Sequence, residues 1–474
     1  MLWLWASVSM AQTDVISGNA KTYAGDTLRM YALSDYINQR ETLIASAPVD
    51  KNGNFSFNIK TREISQAYID LTVFKCILYL QPGTRQTIVL PEKQTIRPED
   101  EMNPFFRKYE FYPKLINPDS SDLNILIPAF DKIYTQALNR IITSQYSVSK
   151  AQTDSLEAKI AAKFAGGGRY FQEYMRYRFA MLDNTAYHRN RNIVISELFS
   201  GKDVLYRNPA YNELFADIFT NMFFNMKNDL PGYQNIMTSI QDRSYSNLRS
   251  QLTAQSKIGS EQLADYIILK GIKDAYHSDT ISKATLLALA DSLALKSKTK
   301  EFREIASHMI EDFTSLMCGY PAPDITVADR SNNQYELASF AGKFSYLIFF
   351  NPNSYTAQND LGMLMQIRSD IPKDALEIVM VFVSQNKKQY LDFIDQQTDD
   401  LGFDIFWYNG NKEMLRKYNV KAFPMYYLIN PDGNLSMNPA PSPSENFMDK
   451  FQNIFRSWKI EQQRRDYKGR QGIR

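Results

Sequence analysis

The chain has 474 residues, of which 22% are charged and 13% aromatic, and carries a formal net charge of +2. That length excludes one ordinary core and sets an expectation of about two to four domains, while the aromatic content excludes a disordered polymer. The near balance of charge gives no footprint for nucleic acid, and two cysteines with three scattered histidines exclude a disulfide scaffold and offer no metal cluster.

Residues 1–11 form an apolar run ending in the small-x-small stretch Ser9-Met10-Ala11. It is too short to span a bilayer and reads as a signal peptide, truncated because the basic n-region is missing. No cysteine follows it, so a lipid anchor is not indicated. The expected location is the periplasm or the outer membrane's vicinity. No later stretch is long and apolar enough for a transmembrane helix.

Residues 12–100 read as an all-β, sandwich-like domain of short strands with Gly and Pro punctuation. Asn52-Gly53 reads as a hairpin turn, followed by Phe55, Phe57 and Ile59 on one face. Gly53-Asn54-Phe55-Ser56-Phe57 and Leu80-Gln81-Pro82-Gly83 make this stretch similar to the small β domain that precedes TlpA-like domains in many Bacteroidetes envelope proteins. Cys76 lies in an apolar run and reads as a buried hydrophobe.

Residues 101–318 read as a helical middle domain. Leu156, Ile160 and Phe164 recur at helical spacing, with Asp154 or Ser155 as the cap. Gly166-Gly167-Gly168 lacks the Lys-Ser/Thr of a phosphate loop and reads as an interhelical turn. Tyr170, Tyr174, Tyr177 and Met181 form a stripe that suits a helix core, or a sugar-stacking platform. Carboxylate runs at Glu99-Asp100-Glu101 and Asp399-Asp400 read as solvated loops. Cys318 sits at the end of this region; a disulfide with Cys76 would require two domains to meet.

Residues 319–460 alternate apolar strands with helical patterns. A buried strand through Tyr346–Phe350 runs into the turn Asn351-Pro352-Asn353-Ser354, and a helix opens through Leu361, Leu364 and Met365. Leu376–Val383 reads as a parallel neighbour, and Pro424 heads a further strand closed by an Asp432-Gly433 hairpin. With Pro323, Leu337 and Gly342-Lys343 ahead of them, these segments resemble the TlpA-like thioredoxin-fold family. The resemblance implies an α/β thioredoxin-like domain, a cis peptide before Pro424, and Cys-x-x-Cys at the head of the helix. Here those four residues are Ser354-Tyr355-Thr356-Ala357. A hydroxyl and a methyl cannot exchange a disulfide, so the site is degenerate and no catalytic residue is assigned. Ser354 reads as a capping hydroxyl, since no histidine lies near it to act as its base.

The chain is therefore expected to be multidomain, with β, helical and thioredoxin-like parts and a basic, solvated tail at 461–474 able to touch a membrane surface weakly. Its expected function is non-catalytic binding of an envelope protein or peptide, with Asn353, Ser354, Tyr355, Phe423 and Pro424 as the groove. Neither cofactor nor metal is expected. Two alternatives stand beside it. One is a thiol:disulfide oxidoreductase in cell redox homeostasis, using Cys318 or Cys76 as a lone thiol. The other is a glycan- or small-ligand-binding protein using the β domain or the aromatic helices.

Overall fold

The computed structural model describes residues 12–97, 106–143, 148–225, 232–255, 257–276, 278, 280–352, 354–384, 386–397 and 401–471. The segment read as a signal peptide and the carboxylate runs at 99–101 and 399–400 lie outside them. The chain divides into two compact units: residues up to Ile96 with Arg107–Ile310, and 97–106 with Glu311 onward. The strand-rich and helical regions thus share one unit.

In the first unit the strands are β1 (Gln12–Asn19), β2 (Thr27–Asp35), β3 (Arg40–Pro48), β4 (Asn54–Thr61), β5 (Ser65–Leu71), β6 (Phe74–Leu80), β7 (Arg85–Val89), β8 (Tyr109–Phe111) and β9 (Lys114–Leu115). They form two sheets, ordered β4-β1-β7-β9 and β3-β2-β5-β6-β8. In β4, exposed and buried residues alternate, which turns Phe55, Phe57 and Ile59 inward. There they join Ile16 and Ile88 of the same sheet and Met30, Ile69 and Leu78 of the other in one shared core. Burying each such side chain contributes about 1.5–3 kcal/mol.

The Asn52-Gly53 turn is present but does not close a hairpin. β3 pairs with β2 and β4 with β1, so the turn carries the chain from one sheet to the other. Asp50 explains the shape, because its Oδ1 accepts the N–H groups of Asn52 and Asn54, both at 2.8 Å. Gly53 has φ +88, a conformation that favours glycine.

The helices that follow are α1 (Leu123–Ile142), α2 (Lys150–Lys163), α3 (Arg169–Tyr187), α4 (Arg191–Leu198), α5 (Pro209–Ile218), α6 (Met222–Asn225), α7 (Tyr233–Gln241), α8 (Tyr245–Thr253), α9 (Glu261–Ala275), α10 (Lys283–Lys296) and α11 (Lys300–Thr314). α2 begins a turn earlier than its apolar spacing suggests. Its start is set by Ser149, whose N–H donates to Gln152 Oε1 at 2.9 Å. α1 is docked by the buried Asn124, which accepts from the Tyr79 N–H at 2.6 Å and donates to the Tyr79 carbonyl at 2.9 Å. One side chain thereby satisfies a backbone residue of β6 as a neighbouring strand would.

The second unit is built on one sheet. Its strands are β10 (Thr326–Ala328), β11 (Gln334–Glu336), β12 (Phe344–Phe350), β13 (Leu376–Phe382), β14 (Asp404–Trp407), β15 (Met425–Ile429) and β16 (Leu435–Met437). The order is β11-β10-β14-β13-β12-β15-β16, with β12, β13 and β14 parallel and β15 antiparallel to β12. Every residue of β12 and β13 is buried, as expected of strands covered on both faces. Phe344, Tyr346, Ile348 and Phe350 join one core, and Leu347 and Phe349 the other.

The covering helices are α12 (Tyr355–Asp370), α13 (Lys387–Gln396), α14 (Lys412–Lys417) and α15 (Phe447–Gln471). The β15–β16 hairpin turns at Gly433 (φ +82), with Asn430 Oδ1 accepting the N–H groups of Asp432 and Asn434. α15 runs on through the basic segment expected to be a loose tail, with Glu461 accepting from Arg465 at 3.0 Å. Residues 472–474 lie outside the described residues.

Candidate functional site

β12 delivers the chain to Asn351 at the edge of the sheet. Asn351 Nδ2 donates to the Val383 carbonyl at 3.1 Å, and the Ser354 N–H donates to the Asn351 carbonyl at 3.1 Å. These bonds turn the chain into α12, whose N-terminal dipole end faces the turn. The register Phe349↔Met425 brings the start of β15 alongside, and the Phe423-Pro424 peptide just ahead of it is cis.

Across this junction Ser354 Oγ donates to the Phe423 carbonyl at 3.0 Å. A serine hydroxyl has one proton and two lone pairs, so this bond to the proline loop leaves its oxygen able to accept as a helix cap does. Phe423 is half-buried and packs against the core that holds Leu347 and Phe349. Asn353 lies outside the described residues, and Tyr355 and Ala357 are placed here only as positions in the first turn of α12.

Beneath the turn is a carboxylate that the sequence reading missed. Asp360 is 4% exposed, and the Tyr426 hydroxyl donates to its Oδ2. Burial, then that bond, pushes the Tyr426 hydroxyl well above its ordinary range. Tyr426 stacks on Tyr346, whose own hydroxyl donates to the Pro441 carbonyl at 2.6 Å. The available signal was an acidic residue directly before the apolar Leu361 of α12, together with a tyrosine, Tyr426, two residues after Pro424. Lys343 of the Gly-Lys pair has a structural task, binding Glu377, which is 3% exposed on β13.

The other candidate chemistry stays dispersed. All three histidines precede residue 311, so none belongs to the unit holding Ser354, and His277 lies outside the described residues. Both cysteines are free thiols. Cys76 is fully buried in β6 and burial pushes its thiol far up, whereas Cys318 is exposed. Among the described residues no cluster of His, Cys, Asp and Glu could hold a metal ion. In the tyrosine stripe, Tyr174 and Tyr177 are core residues with bonded hydroxyls, the first donating to Asp131 Oδ1 at 2.8 Å and the second to the Leu198 carbonyl at 3.1 Å.

Residues 318–437 match the model of the AhpC/TSA family. The region is a thioredoxin-fold domain. Its one cysteine is Cys318, and neither Ser354 nor Ala357 is replaced by another nearby thiol. The chain is 21% identical over 142 residues to the thiol-disulfide oxidoreductase ResA of Bacillus subtilis, covering 30% of this chain and 78% of ResA. Among solved structures it is similar to the thioredoxin domain of a thiol-disulfide oxidoreductase from Bacteroides vulgatus, at 20% identity over 29% of this chain and 99% of that one, with a TM-score of 0.26. A thiol:disulfide interchange protein from a Bacteroides species matches at 21% identity over 29% of this chain and 92% of its own, with a TM-score of 0.27.

Proposed function

We propose that the thioredoxin-fold domain is a redox-inactive binding module of an envelope protein. In this reading it holds a protein or an extended peptide between the turn at Asn353, Ser354 and Tyr355 and the loop at Phe423 and Pro424. One observation carries the reading: Ser354 and Ala357 occupy the two thiol positions, while the apolar strands, the cis Phe423-Pro424 peptide and α12 are kept. A domain that retains the recognition frame of a dithiol site without its nucleophile can bind by strand pairing but cannot exchange disulfides. An envelope location accords with residues 1–11, and among the described residues no helix is long and apolar enough to cross a membrane.

A second reading draws on the exposed thiol of Cys318: an oxidoreductase working through that lone cysteine. Insulin reduction by the full chain separates the two, with the Ser354→Cys/Ala357→Cys double variant as a dithiol control. The first reading expects no reduction by the wild type and one stoichiometric partner on capture from the host's envelope fraction. Wild-type reduction that disappears in Cys318→Ser would replace it with the second.

A further inference from the structure

The last helix, α15, continues well past the packing that anchors it. Phe451, Phe455 and Trp458 define its inner side, their rings 5.5–5.9 Å from that of Phe344. Trp458 is the last of its residues to join that core, yet the helix runs on to Gln471, more than three further turns.

Arg465 fixes how this extension faces. It donates to Glu461 at 3.0 Å and lies 3.6 Å from the Asp432 carboxylate at the β15–β16 turn. The opposite side carries Arg456, Ile460, Arg464 and Tyr467, whose spacings of four, four and three residues set them in one line along the helix. All four are exposed, Ile460 at 52% and Tyr467 at 64%. The acids of this stretch stand off that line: Glu461 is engaged by Arg465, and position 466 falls about 120° round the helix from position 460. Asp449 shares the line but sits about 10 Å along the axis before Arg456.

The charge is concentrated here. The whole chain carries +2, whereas residues 456–471 alone hold six Lys and Arg against two acids. Arginines alone would suit any polyanion. An aliphatic and a tyrosine side chain interleaved with them suit a layer with negative charge at its surface and hydrocarbon just below.

We propose that the outward face of α15 rests on the surface of an anionic lipid bilayer, with Arg456 and Arg464 against headgroup phosphates and Ile460 and Tyr467 at the boundary with the acyl chains. This contact does not involve the junction between Ser354 and Pro424, so either can fail without the other.

The test is sedimentation of the full chain with vesicles of equal parts phosphatidylglycerol and phosphatidylcholine, against pure phosphatidylcholine, at low and high salt. Soluble polyglutamate at matched charge serves as an acidic competitor without a bilayer. The variants are Arg456→Gln/Arg464→Gln and Ile460→Ser/Tyr467→Ser, all at exposed positions, with melting curves to establish that both fold. Each arginine near an anionic surface contributes about fivefold in affinity, so the first variant is expected to bind about twentyfold more weakly. The second is expected to bind about fivefold more weakly or worse, and wild-type binding to fall at high salt. The proposal is overturned if the wild type does not sediment with the anionic vesicles at low salt, or sediments equally with the neutral ones. It is overturned too if polyglutamate releases it, or if either folded variant binds like the wild type.

Discussion

Ser354 Oγ donates a 3.0 Å hydrogen bond to the carbonyl of Phe423, the residue before cis Pro424. The bond ties the turn ahead of α12 to the head of β15, joining the two segments that would form the sides of a peptide groove. It also occupies one of the two acceptor sites on a carbonyl that an extended ligand would approach. The serine is thus a clasp between these two segments.

Removing the clasp is expected to loosen this unit modestly. A neutral hydrogen bond of this kind contributes about 0.5–1.5 kcal/mol net, so Ser354→Ala is expected to lose about 1 kcal/mol. Urea unfolding followed through the fluorescence of Trp407 and Trp458, both in this unit, reads the loss directly. An unchanged midpoint would show that the bond does not hold the turn.

Tyr426→Phe is expected to cost more. It removes the hydroxyl that donates to the buried Asp360 carboxylate and leaves that charge short of a partner. The expected loss is about 1–3 kcal/mol, larger than for Ser354→Ala in the same unfolding experiment. A smaller loss than that of the serine variant would contradict the account of Asp360 as a tightly held buried acid.

In the first unit, Glu157 of α2 is held up to about 7 by burial first and then by the neighbouring carboxylates of Asp183 and Asp154. Its pKa in the folded state lies above its value in the unfolded chain, so folding favours the protonated form. That contribution is fully present below about pH 4.5 and is lost as pH rises towards about 7. Melting temperature is therefore expected to carry a component that falls across this window, and Glu157→Gln is expected to remove it and melt higher at neutral pH. A variant with the wild-type pH profile would show that Glu157 titrates as it does in the unfolded chain.

The thiols are expected to differ sharply. Native alkylation followed by intact-mass measurement should add one label, at Cys318, because Cys76 is sealed in the sandwich core with its thiol driven up by burial. Two labels without denaturant would contradict the burial of β6.

The residues that were legible in the sequence are those whose role depends on near neighbours in the chain. The unbroken apolar runs of β12 and β13, the head position of Pro424, the Asp432-Gly433 turn and the core-facing Tyr174 and Tyr177 all follow from spacing. What was hidden depends on which distant segments meet. Asn52-Gly53 has hairpin chemistry, yet the preference of β3 for β2 and of β4 for β1 makes it a crossing between sheets. The role of Asn124 is set by β6, whose Tyr79 backbone N–H and carbonyl it bonds from 45 residues away. Nothing in the chain next to Asp360 marks its role, which appears only when β15 brings Tyr426 against it.

The central claim, binding without dithiol chemistry at the Ser354–Pro424 junction, is tested most directly by photo-crosslinking in the native host. A benzophenone amino acid would be placed at position 423, and separately at the exposed position 242 of the first unit as a control. The account predicts one discrete light-dependent adduct from position 423, absent from the control. No light-dependent adduct above the control, or only a light-independent one that a thiol reductant dissolves and Cys318→Ser abolishes, would contradict it.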